Sequence, residues 1–250
     1  MTDDVPLIIM GIDYQMANAE SNLSNALNAL KARKFVLIYD ADGREEETDL
    51  IMAAQFVTPE SVGRMRKDGG GLIFLIVDYL TKEKLDLPFL ADLFYKESSR
   101  WPVLKELIPN DIPYDTKSSF SVSINHRDTF TGITDKDRAL TISEFARVAE
   151  EIKGLSSVQA QRLFGERFRA PGHVFICASS KRPLVTRFGH TELGAALTKM
   201  AGLIPIAVGC EMMDDVSALP KEEAMKYAQE HDLVFLEGKE IIEAWKVWSR

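Results

Sequence analysis

Apolar residues fall in short runs along this chain, and the period of those runs changes from segment to segment. Leu23, Leu27 and Leu30 recur at helical spacing, which predicts an amphipathic helix over 19–33. The unbroken apolar run from Phe35 to Tyr39 predicts a buried strand. Strand character resumes at 50–56, after a highly acidic stretch. Thr58 then offers an N-cap with Pro59 at the first helical position, and the glycines at 69–71 stop that helix. A further apolar strand is predicted over 72–78, and 79–117 reads as irregular and partly helical. Phe120, Val122 and Ile124 alternate with Ser119, Ser121 and Ser123, the pattern of a half-buried strand. Thr141 and Glu144 match a capping box, predicting a helix over 145–152, with 135–138 as a solvated turn before it. Strands at 173–178 and 205–211 flank a helix that starts near His190. The remainder reads as helix 221–230, strand 233–236 and helix 241–248.

Strands and helices interleave without repeats or a long linker, so an α+β fold is expected, a single layered domain over 1–250. The serine-alternating strand argues for a mixed rather than an all-parallel sheet. With 46% apolar and 27% charged residues, the chain can bury a sizeable core. A net charge of -8 argues against nucleic acid as a partner, while a small anion remains compatible because a few local donors can hold one phosphate. No membrane association is expected, since no run approaches the ~20 apolar residues of a membrane span. The opening residues, with Asp3 and Asp4, do not resemble a secretory leader, and a cytoplasmic location is the expectation. The two cysteines, Cys177 and Cys210, sit in apolar runs and read as buried thiols.

Chemistry concentrates in four places. Between Asp40 and Asp49, carboxylates crowd around Arg44, a pattern open to two readings: a solvated acidic loop, or an oxygen-rich site whose mutual repulsion a divalent cation would relieve. Arg187-Phe188-Gly189-His190-Thr191-Glu192 opens a helix, where free amides and the dipole favour an anion and Arg187 adds a planar donor fork; simple capping by Thr191 is the plainer alternative. A Pro-Gly turn delivers His173 to the start of a strand, as a structural or a proton-transferring residue. Glu211 closes an apolar run, either as a strand terminus or as an acid or base with a pKa raised by burial. His126 could line a site, and His231 reads as a helix-end residue.

These segments occur together and in a characteristic order: Arg44-Glu45-x-Glu47-x-Asp49, Pro171-Gly172-His173-Val174, Arg187-x-Gly189-His190-Thr191-Glu192, and Cys210-Glu211. With the stretches IPNDIPYD (108–115) and INHRDTFTGITDKDRA (124–139), they give a chain that resembles 3,4-dihydroxy-2-butanone 4-phosphate synthases of the stand-alone archaeal type. The similarity runs from the first predicted helix to the C-terminus and leaves 1–18 as an unassigned extension. It implies a three-layer sandwich of helices around a mixed sheet and a homodimer with sites near the subunit interface. It also implies a riboflavin-pathway lyase that converts D-ribulose 5-phosphate to L-3,4-dihydroxy-2-butanone 4-phosphate and formate. Magnesium, with manganese as a substitute, would be held by Glu45 and His190. Arg44, Glu45, Asp49 and Glu211 would contact the sugar, and Arg187, Phe188, Gly189, His190 and Thr191 would bind the phosphate end. His173, Glu211 and Glu47 would serve in catalysis. Phe74 departs from the cysteine common after the family's GGLI run, and Gly43 and Glu46 depart within the loop. Another sugar-phosphate isomerase or lyase, or a silent phosphate-binding protein, are the competing readings.

Overall fold

The computed structural model describes residues 21–109 and 111–249. The proposed extension over 1–18 lies outside them. Seven strands form one mixed sheet: β1 (Val36–Tyr39), β2 (Thr48–Ala53), β3 (Gly70–Val77), β4 (Phe120–His126), β5 (Phe168–Ala178), β6 (Ile206–Met212) and β7 (Val234–Glu237). Their order is β4-β5-β3-β6-β2-β1-β7. Only β1–β7 and β3–β5 pair in parallel; the other neighbours are antiparallel.

Helices cover both faces. They are α1 (21–31 of the described residues), α2 (Pro59–Arg64), α3 (Tyr79–Leu85), α4 (Leu90–Glu97), α5 (Val103–Glu106), α6 (Asp135–Glu151), α7 (Ser157–Arg167), α8 (His190–Met200), α9 (Lys221–Glu230) and α10 (Gly238–Trp248). The apolar strands split their side chains between the faces with the two-residue period of extended chain. Leu37, Leu50, Met52, Leu75 and Val208 pack with residues of α2, α6, α7 and α9. Val36, Ile38, Ile51, Ile76 and Ala207 pack with α1, α8 and α10. The result is the three-layer sandwich expected from the sequence.

Several boundaries differ from the sequence expectation. α6 begins at Asp135, because Thr134 caps it by accepting a hydrogen bond from the Asp137 amide, so 135–138 is its first turn and not a solvated one. Thr141 is not a cap but a buried mid-helix residue. Its hydroxyl accepts from the His126 amide at 3.0 Å and donates to the Asp137 carbonyl at 3.0 Å, tying α6 to the end of β4. The serines of β4 are not its wet face: Ser121 is fully buried while Phe120 and Val122 are only partly covered. A register shift against β5 between Phe120 and Ser123 breaks the simple alternation. His231 does close α9, as expected. Among the described residues no helix is long and apolar enough to cross a membrane.

Candidate active site

The acidic loop between β1 and β2 folds around one side chain. Asp40 is buried, and its carboxylate accepts hydrogen bonds from the amides of Glu45 (3.0 Å) and Glu47 (3.1 Å) and from the Arg44 guanidinium (2.9 Å). This arrangement fixes the directions of the residues that follow. Glu45 comes to lie 3.3 Å from the Nδ1 of His190, the first residue of α8. The two residues on which the sequence reading depended most therefore meet, across 145 positions of chain.

Two more carboxylates share the α8 face of the sheet. Asp49 on β2 and Glu211 on β6 are direct cross-strand partners, and Asp49 alternates with Ile51 of the α8-side core. Like charges opposite one another in a sheet are costly, and burial raises that cost. Burial and the neighbouring carboxylates push the Asp49 carboxyl well above its ordinary range, although His190 opposes this. Burial likewise raises Glu211, which its own backbone amide partly offsets. Glu47 is raised by burial and by Glu45. Glu45 behaves oppositely: burial would raise it, but the hydrogen bond to His190 and the charge of Arg44 outweigh that and bring it down to about 2. His190 is completely buried. Burial would lower its pKa, yet Asp49, Glu45 and Asp40 together lift it to about 9.

The donor set suits a divalent cation. Asp40, Glu45 and His190 each offer a ligand atom, all within 4.8 Å of one another. Asp40 already accepts three hydrogen bonds from the loop's own donors and organises the loop, whereas Glu45, which also pairs with Arg44 at 2.7 Å, and His190 face the cavity. His190 Nε2 lies 3.1 Å from the Ile38 carbonyl. In the neutral ring that nitrogen donates to the carbonyl, leaving the Nδ1 lone pair facing Glu45. Both Asp49 oxygens and one Glu211 oxygen are buried without a hydrogen-bond partner, so this wall has unspent acceptors. Two protein donors beside open acceptors fit magnesium, which keeps most of its positions for water or substrate oxygens.

A cavity of about 260 Å³ opens over this wall, lined among others by Glu45, Glu47, Asp49, Phe74, Cys177, Arg187, His190, Thr191 and Glu211. At its other end Arg44 and Arg187 converge on Gly189. A Cβ at Gly189 would sit 2.6 Å from the Arg44 guanidinium and 2.7 Å from that of Arg187, so any larger residue would have to push them aside. Thr191 is buried there, its hydroxyl 3.0 Å from that of Ser119. Glu192 pairs with Arg187 and accepts from the Ser180 amide at 2.9 Å, which fixes the guanidinium.

Three sequence expectations fare differently. Phe188 is 42% exposed and does not line the cavity, so only its backbone belongs to the turn. His126 lies at the far end of β4, buried edge-on against Phe168 and away from the cavity. His173 is also outside it. Four residues, about 13 Å of extended chain, separate His173 from Cys177, which does line the cavity. His173 instead stands exposed on a bulge at the β4 edge. Its amide donates to Asn125 Oδ1 at 2.8 Å, and the Gly172 amide donates to Ser123 Oγ at 3.1 Å.

Sequence reasoning missed Asp115, Tyr114 and Cys177 as wall residues. Phe74 is accommodated because Gly209 lies across from it in register, where a Cβ would approach its ring to 2.9 Å. The wall still carries a thiol, Cys177 on β5, whose pKa burial pushes up to about 12.

Comparison with known proteins agrees with this geometry. The family model for 3,4-dihydroxy-2-butanone 4-phosphate synthase matches residues 24–244. The synthase of Methanothermobacter thermautotrophicus is 49% identical over 225 residues, covering 89% of this chain and 95% of that one. The synthase of Archaeoglobus fulgidus is 42% identical over 228 residues, 90% and 94% of the two chains. Among solved structures, a cation-free synthase superposes with a TM-score of 0.71 at 26% identity, covering 91% of this chain and 98% of that one. A synthase in complex with two magnesium ions superposes at 0.68 and 25% identity, covering 89% and 95%. A fold, an acidic loop meeting a helix-start histidine, and these relatives coincide along nearly the whole length, and the chain belongs to the 3,4-dihydroxy-2-butanone 4-phosphate synthase family.

Proposed function

We propose that this chain converts D-ribulose 5-phosphate to L-3,4-dihydroxy-2-butanone 4-phosphate and formate, a step of riboflavin biosynthesis, with magnesium held by Glu45 and His190. The observation that carries the reading is the meeting of Glu45 with His190 beside the Asp49–Glu211 pair. Manganese can take the same oxygen and imidazole donors.

The assigned roles follow from placement. Arg187, with Gly189 and Thr191 at the start of α8, receives the phosphate, which anchors the substrate away from its reacting carbons. Arg44 and Asp49 contact the sugar hydroxyls. When bound, the cation supplies charge stabilisation to adjacent sugar oxygens. Forming enediols, losing water, migrating the skeleton and releasing formate all require protons to be moved. Glu211 and Glu47, whose pKa values burial raises, are the carboxyl groups placed to hold and return protons. His173 is built into an exposed bulge outside its own chain's cavity, so its proton-transferring role requires a second copy. A homodimer in which each chain lends His173 to the other's cavity would reconcile that exposed placement with the role assigned to it.

Incubating the purified protein with ribulose 5-phosphate and magnesium, and following formate by NMR, tests the reading. Formate should appear, and Glu45→Gln and His190→Ala should each remove the metal-dependent turnover while the protein stays folded. Ketose–aldose exchange without formate would indicate an isomerase. Binding without turnover would indicate a silent phosphate-binding protein.

A further inference from the structure

The two arginines at the phosphate end already share an anion. Asp115 Oδ2 accepts a hydrogen bond from Arg44 at 2.7 Å and lies 3.0 Å from Arg187 Nη2. One carboxylate oxygen thus bridges two guanidinium groups at the glycine that admits them both. The carboxylate is nearly buried, with its side chain 10% exposed. Neighbouring Tyr114 adds its ring, 5.0 Å from the Arg44 guanidinium.

The chain around Asp115 is tied down by side chains. Residues 111–119 belong to no helix or strand. Among the described residues, 111–118 make no backbone–backbone hydrogen bond. The remaining ties are Lys117 to Asp92 of α4 at 2.6 Å and Ser119 to Thr191. The segment also separates the 260 Å³ cavity from an adjoining one of about 620 Å³, and Ile112, Tyr114, Asp115 and Lys117 line both. Its last residue is tied to β5, where the Ser119 carbonyl accepts from the Ala178 amide at 2.9 Å, so displacing 111–118 about that point would join the two spaces without breaking a backbone hydrogen bond.

A substrate phosphate and the Asp115 carboxylate cannot share this seat, because both are anions and both need the Arg187 guanidinium. We propose that Asp115 is a built-in competitor for the phosphate seat, and that segment 111–118 is a strap released when a phosphate ester exchanges with the carboxylate. The inference rests on the assignment of Arg187 to phosphate made above. The competition discriminates by charge: a dianionic phosphate offers two arginines more than a carboxylate does, whereas an unphosphorylated sugar offers nothing that dislodges it.

Inorganic phosphate is the probe, titrated calorimetrically into the full chain. Asp115→Asn keeps the shape and removes the charge. Its dissociation constant for phosphate should fall about tenfold, since the fraction of molecules with an open seat rises. Arg187→Gln should lose phosphate binding. If Arg187→Gln binds phosphate as the unmodified protein does, the seat itself is misassigned. If Arg187→Gln loses binding but Asp115→Asn binds no more tightly, or more weakly, the seat stands and the strap is overturned, with Asp115 reduced to positioning the arginines. A second measurement needs no variant: phosphate should speed cleavage at Lys117 by a lysine-specific protease, and protection there would overturn the exchange.

Discussion

The two faces of the sheet solve different problems with the same strands. On the α6 face, Leu50, Leu75, Val208 and Phe145 build a dry core. On the α8 face the same strands carry Asp49, Glu211 and Phe74 at alternate positions, and the first turn of α8 adds His190. One face is filled to hold the molecule together; the other gives up apolar contacts at the strand ends and concentrates charge there. Stability and chemistry are therefore separable by a one-residue step along one strand.

That separation can be broken on purpose. The largest effect should come from Glu211→Gln, which removes an acid–base group and lowers formate release by about 10²–10⁴-fold. Thermal unfolding should be unchanged or shifted upward, because a like-charge cross-strand pair is relieved. A variant with near-normal turnover would detach Glu211 from catalysis. Phe145→Ala should do the reverse. Its ring is 1% exposed, and its loss should cost about 3–5 kcal/mol in denaturant unfolding, with turnover per folded molecule intact. A selective loss of turnover would mean the faces are not independent.

A smaller effect sharpens the contrast through pH. His190 is raised from 6.5 to about 9 in the folded chain, so its protonated form favours folding below the lower value. That contribution, at most about 3 kcal/mol, should fade as pH rises from 6.5 to about 9 in chelator-treated protein. Saturating magnesium should flatten the slope, because a metal-bound imidazole is neutral at both ends of the window. A slope identical with and without magnesium would place the cation elsewhere.

Much of this division was legible in the sequence, and the exceptions have physical causes. Runs such as Val36–Tyr39 showed that both faces are covered, because a strand buried on both sides has no polar alternation. The acidic loop and the Gly-His-Thr helix start were visible as chemistry. Their contact was not, since only the resemblance linked positions so far apart in the chain. α7 escaped notice because it buries little beyond Ala160, so its apolar stripe is faint even though Ser156 and Gln159 form a capping box. The start of α6 was misplaced although Thr134 and Asp137 carry an N-terminal signature. The later Thr141–Glu144 pair imitates the same signature. Asp115 looked like one more loop acid; its significance lies in the two arginines it meets, which pattern alone cannot supply. The exposed placement of His173 followed from a bulge that strand periodicity does not encode.

The packing of Phe74 on Gly209 ties two positions on adjacent strands into a single steric unit. With a smaller residue at the first position, a methyl group at the second would not meet this ring. Here it would press on an aromatic ring in the wall of the cavity. Replacing Phe74 by cysteine would in turn leave a hollow in that wall, which a methyl group at the second position could partly fill.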